Sequence, residues 1–84
     1  MSYAVDWTDP ALEDLVALWT QASNRQAVNQ AQVKIDRLLA RDPHGHGAPA
    51  SEGLCVIEVH PLRAQFEISE ADHVVSIVSV GLLP

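Results

Sequence analysis

The stretch PLRAQFEI, residues 61–68, alternates with period two. Leu62, Ala64, Phe66 and Ile68 fall on one side of an extended chain, and Arg63, Gln65 and Glu67 on the other. Such a strand offers one face to a core and one to solvent or a partner. The runs beside it are also strand-like. LCVIEV, 54–59, precedes it across His60-Pro61, and HVVSIVSV, 73–80, follows it across SEAD. The last run is apolar on both sides, with Val75 and Ile77 against Val74, Val78 and Val80, which places it inside a sheet.

Toward the N-terminus, YAVDW sets Tyr3, Val5 and Trp7 against Ala4 and Asp6 and makes a first strand. TDPALED starts a helix: Thr8 or Asp9 caps it, Pro10 suits the first turn, and Glu13 and Asp14 suit the positive end of the dipole. Leu12, Leu15, Val16 and Trp19 mark its expected buried stripe, with an end near Ala22. Ser23 or Asn24 caps a second helix that buries Val28, Ala31, Ile35, Leu38 and Leu39. RDPHGHGAPASEG, 41–53, is rich in proline and glycine and is expected to be a loop.

The expected fold is therefore α+β and a single domain over 1–84. An N-terminal strand and a helical hairpin are followed by three antiparallel strands. Both helices pack on one face of a four-stranded, mainly antiparallel sheet. Arg63, Gln65 and Glu67 are expected on the uncovered face. A chain this short buries only about 60–65% of its unfolded surface, so the core is small.

Charge narrows the function. Eleven acidic side chains face five basic ones, for a net charge of −6. Gripping phosphates needs several Lys or Arg, because counterion release supplies most of that affinity. Four of the five basic residues (Arg25, Lys34, Arg37, Arg41) lie in the second helix, and Arg63 stands alone. Autonomous nucleic-acid binding and anionic membranes are poor fits. No apolar run reaches membrane-span length, and the N-terminus lacks a signal-type block, so a cytoplasmic location is expected. The lone Cys55 forms no internal disulfide and reads as a small buried hydrophobe.

Arg63 is the first candidate for chemistry. It suits a phosphate, or a plain surface pair with Glu58 or Glu67. Glu58 and His60 read as one strand face and as a candidate acid–base pair beside it. Asp42, His44 and His46 have a metal-ligand spacing, but the two imidazoles form an incomplete site with no third strong ligand beyond Asp42 or Glu52, so no metal or other cofactor is expected. Trp7 and Trp19 read as core. Leu82 and Leu83 either tuck over the core or form a dimer or partner surface.

Three pieces taken together resemble the RelE/ParE superfamily of type II toxin–antitoxin toxins: YAVDWTDPALEDL, IDRLLARDPHGHG and PLRAQFEI…HVVSIVSVG. The resemblance implies a toxin neutralised by a cognate antitoxin that wraps it. One branch cleaves messenger RNA on the ribosome without metal, and another poisons DNA gyrase. In the ribonuclease branch an arginine on the penultimate core strand contacts the scissile phosphate, and Arg63 matches that place. Glu58 or His60 would then accept the proton.

This chain departs from that branch in two ways. Ribonuclease members continue past SVG with a basic segment and carry a base on the preceding strand. Here the chain reads Gly81, Leu82, Leu83 and Pro84 from that glycine on, and LCVIEV holds no cation. The expectation is therefore a toxin-like component acting by protein–protein binding. Gln65, Glu67, Leu82 and Leu83 are its binding residues, with homodimerisation through the leucines as a further possibility. A ribosome-dependent endoribonuclease using Arg63 and a non-toxic interaction module are the alternatives.

Overall fold

A computed structural model describes residues 2–84. The chain runs β1 (Ala4–Trp7), α1 (Asp9–Gln21), α2 (Arg25–Arg41), α3 (Pro43–His46), β2 (Ala48–Ser51), β3 (Leu54–Val59), β4 (Leu62–Ser69) and β5 (Val74–Leu82). The strands form one sheet of order β1-β5-β4-β3-β2. β1 lies parallel to β5, and the other pairs are antiparallel.

The α+β class, the hairpin and the interior place of β5 agree with the sequence reading. The sheet, however, has five strands instead of four. The extra strand, β2, lies within the segment read as a loop. Pro49 has no N–H to give a ladder, which restricts it to an edge, and β2 is an edge strand. All of β2 is exposed, so no alternation of polarity marks it. Gly53, at φ 75°, makes the left-handed turn into β3. Before β2, the Asp42 carboxylate caps α3 by accepting from the Gly45 N–H at 2.9 Å.

Leu62, Ala64 and Phe66 of β4 are fully buried. They pair with Val59, Ile57 and Cys55 on one side and with Leu82, Val80 and Ile77 on the other. Ala11 and Leu15 of α1 and Val28, Ala31, Ile35 and Leu39 of α2 close over this row in one cluster. Gly47 lies against the Phe66 ring: a Cβ there would sit 2.4 Å from Cζ.

α2 buries the stripe its sequence indicates, with Asn24 capping by accepting from the Ala27 N–H at 3.1 Å. α1 does not. It turns Ala11 and Leu15 inward, with Leu18 and Ala22 packed beside them, and leaves Leu12, Val16 and Trp19 exposed. Both rows satisfy helical spacing, and the one led by alanine allows the closer approach to β5. Trp19 is covered instead by the Arg25 guanidinium, 4.4 Å from its ring centre. Trp7 does pack against the core, and its indole N–H donates to Asp36 at 3.0 Å.

Pairing of β4 with β5 slips between Gln65 and Phe66, leaving Val78 without an opposite residue. This bulge turns Val80 into the core beside Val75 and Ile77, whereas strict alternation groups it with Val74 and Val78. Past Trp7, β5 has no strand on that side. There the Thr8 N–H and hydroxyl both donate to the Ile77 carbonyl, at 3.2 and 2.6 Å, and the Asp14 carboxylate accepts from the Val80 N–H at 3.1 Å.

At the other end of β4, Glu70 joins two distant segments. The Tyr3 hydroxyl donates to it at 2.9 Å, and the His44 ring hydrogen-bonds to its other oxygen. His44, then Tyr3, hold the Glu70 carboxyl below its ordinary range, while the bond to Glu70 raises the Tyr3 phenol.

Phe66→Ala should cost about 3–5 kcal/mol by urea denaturation, and Asp14→Ala about 1–3 kcal/mol, because it strands a partly buried N–H. A lowered folded-state pKa makes Glu70 stabilising above the unfolded carboxyl value and ineffective once pH drops through the folded one. Glu70→Gln should therefore melt below wild type near neutral pH, and the gap should close as pH falls through the acid range; a gap independent of pH would refute this linkage.

Candidate functional site

The uncovered sheet face is built by register. Glu58, Arg63 and Gly81 form one row across β3, β4 and β5, and Val56, Gln65 and Ser79 form the next. Glu67 lies opposite Ser76. The pleat that sends Leu62, Ala64 and Phe66 inward sends Arg63, Gln65 and Glu67 here, as the alternation requires.

The Arg63 Nε lies 3.6 Å from a Glu58 oxygen, and both side chains are about half exposed. At that distance and exposure the pair is worth at most about 1 kcal/mol. On the other side Gly81 adds no side chain, and a Cβ there would meet nothing within 4 Å. The guanidinium therefore keeps open space on the β5 side, and among the described residues its N–H groups make no hydrogen bond. The Ser79 hydroxyl donates to the Gln65 amide oxygen at 2.9 Å, fixing the second row. Arg63, Gln65, Ser79, Gly81 and Leu82 line a shallow depression of about 250 Å³.

His60 lies elsewhere. β3 ends at Val59, so His60 falls in the turn and not on the strand face with Glu58. With Pro61, Leu82 and Leu83 it lines a cleft against the α1–α2 connection, on the helical side. Leu83 tucks in, its N–H donating to the Pro61 carbonyl at 2.9 Å, while Leu82 stays half exposed. The structure thus brings Glu58, Gln65 and Arg63 together and separates His60 from them. As a chemical device the face holds one cation, already beside a carboxylate, and a ladder of hydrogen-bonding groups. That suits recognition of an acceptor-rich partner.

β2 adds an element that the sequence reading missed. It is exposed at every residue and borders this face through β3. At the opposite edge β1 is held against α2, with the Tyr3 N–H donating to the Ala40 carbonyl at 2.7 Å. The one local signal for β2 was SEG, 51–53, a turn immediately before a strand. His44 is engaged with Glu70 and Asp42 with its helix cap, and among the described residues no three side chains are grouped to hold a metal ion. No helix among them is long and apolar enough to cross a membrane.

Comparison with known proteins agrees with this architecture. The family model for the ParE toxin of the type II toxin–antitoxin system, parDE, matches residues 5–82. No curated protein sequence matches. Among solved structures, the RelBE2 toxin–antitoxin complex of Mycobacterium tuberculosis aligns with a TM-score of 0.82 at 23% identity, over 99% of this chain and 100% of that one. The isolated E. coli RelE toxin aligns at 0.68 and 18%, over 98% and 85%. The intact E. coli RelBE toxin–antitoxin complex aligns at 0.67 and 19%, over 98% of each. At these identities the structures speak for the fold, while the family model spans nearly the whole sequence: the chain belongs to the ParE toxin family of type II toxin–antitoxin systems.

Proposed function

We propose that this protein works by protein–protein contact in the cytoplasm, with its whole chain acting as one unit. As the toxin of its module it is neutralised by an antitoxin segment that lies on the uncovered sheet face. The observation that carries this reading is the half-exposed Arg63, loosely paired to Glu58 at 3.6 Å. A carboxylate or carbonyl from a partner can replace Glu58 with better geometry and use the free N–H groups. Gln65 and Glu67 extend the surface, half-exposed Leu82 borders it at the end of β5, and the β2 edge borders it through β3. Pro49 removes one donor from that edge, so side-chain contacts on the face give the larger share. The E. coli and M. tuberculosis relatives seen as toxin–antitoxin complexes support a partner of this kind.

The second reading is a ribosome-dependent endoribonuclease with Arg63 on the scissile phosphate. Phosphoryl chemistry through a 2′-hydroxyl needs a base, an acid and positive charge on the developing phosphorane. Glu58 lies within reach of Arg63 but partly neutralises it, and His60 lies off the face. The geometry therefore favours binding over cleavage. A non-toxic interaction module is the third reading.

Growth and binding assays separate the three. Induced alone in a bacterium, the wild-type protein should arrest growth, and co-expression of the antitoxin from the adjacent reading frame should relieve it. Arg63→Ala should leave the arrest in place with messenger RNA intact, while weakening antitoxin binding about tenfold. Loss of arrest in Arg63→Ala, together with messenger RNA cleavage by wild type, would establish the nuclease. Unimpeded growth with wild type would leave the non-toxic module.

A further inference from the structure

α2 presents a second surface, remote from the sheet face. Its buried residues Val28, Ala31, Ile35 and Leu39 define the core side. At about 100° per residue, Gln30, Lys34, Arg37 and Arg41 fall on the far side, within roughly 60° of one another. All four are exposed. Lys34, Arg37 and Arg41 are three of only five basic side chains in a chain of net charge −6.

These cations are left unpaired. The ion pairs among the described residues are His44 with Glu70 and Arg63 with Glu58, and neither involves the row. The acid of α2, Asp36, lies off the row and accepts from the Trp7 indole. Asp42, just past the helix, is occupied by the Gly45 N–H. Val33, 55% exposed, borders the row on the same open helix face. The helix macrodipole accounts for Arg41, in the last turn, but fades before Lys34.

We propose that this row docks an acidic segment of the antitoxin, with carboxylates on Lys34, Arg37 and Arg41 and an apolar side chain over Val33. The inference rests on the antitoxin-binding reading above and adds a second contact to it. Charge complementarity selects a short protein segment over nucleic acid. The cations span about 10 Å of helix, close to one Debye length at physiological salt. A segment confined to that length meets the row and is screened from the acids elsewhere. A nucleic-acid strand runs beyond it over an acidic surface, and three cations release too few counterions to compensate. The row and the sheet face lie on opposite sides of the helical layer, so a partner using both must wrap around the protein.

The test is a charge reversal, Lys34→Glu, Arg37→Glu and Arg41→Glu together, with a milder Lys34→Gln, Arg37→Gln, Arg41→Gln variant. All positions are solvent-facing, and circular dichroism confirms folding. Binding to the purified antitoxin encoded in the adjacent frame is measured at low and moderate salt, alongside a short RNA and a DNA duplex. Wild type should bind the antitoxin more weakly as salt rises. Reversal should cost tenfold or more and flatten that salt dependence, and neutralisation should fall between. Wild-type affinity and salt slope in the reversal variant would overturn the proposal. So would a row whose loss weakens RNA or DNA binding and spares the antitoxin. Failure of wild type to bind the antitoxin at all would sink the preceding functional reading, and this inference with it.

Discussion

β5 is longer than the strand beside it, and the architecture depends on how that mismatch is resolved. β1 pairs with β5 only as far as Trp7 opposite Ile77, yet β5 continues to Leu82. Backbone groups left on that edge, under a helix, need partners. Thr8 and Asp14 supply them, through the Ile77 carbonyl and the Val80 N–H. Thr8 is the sole residue between β1 and α1, so the helix starts where the ladder stops. Its first two turns are thereby fixed against β5, with Ala11 allowing close contact. The bulge at Val78 completes the fit by rotating Val80 beneath that helix. With α1 placed, α2 has one surface left to cover, the row of Leu62, Ala64 and Phe66.

The opposite face is left open by the same arrangement. Two helices on one side of a sheet leave the alternate residues of β3, β4 and β5 to water or a partner. Their polarity is that of a solvated face: two glutamates, an arginine, a glutamine and serines, joined by the loose Glu58–Arg63 pair and the Ser79–Gln65 bond. A single guanidinium among hydrogen-bonding groups gives direction to a contact without the charge density that phosphate binding requires. Recognition follows from this composition more readily than catalysis does.

Much of this was legible in the sequence where one period dominates. PLRAQFEI has a single consistent alternation, and α2 a single apolar stripe, so their faces were assigned correctly. α1 was misread because it is apolar around most of its circumference. Spacing alone does not choose between the Ala11–Leu15 and Leu12–Val16–Trp19 rows, and the small residue that admits β5 decides it. Val80 was misplaced because a bulge breaks the period that assigned it. β2 left almost no trace, since a short exposed edge strand buries nothing and tolerates Pro49. The Tyr3–Glu70–His44 cluster joins residues far apart in sequence, which local patterns do not connect. Of the candidate site, Arg63, Gln65 and Glu67 were legible from alternation, whereas His60 depended on where β3 ends.

The distribution of charge ties the two proposed contacts together. α1 carries Asp9, Glu13 and Asp14 and no base, while α2 carries four of the five cations. A net charge of −6 opposes long polyanions wherever they approach, because their length exceeds the range over which a local cationic patch is felt. A folded or extended protein segment is short enough to escape that penalty. It meets Lys34, Arg37 and Arg41 as a local field of one sign and Arg63 as a single anchor on the far side. An acidic chain can therefore exclude nucleic acid and still recognise an acidic protein. In the proposed contact it would do so through few cations concentrated on one helix, their carboxylate partners supplied by another molecule.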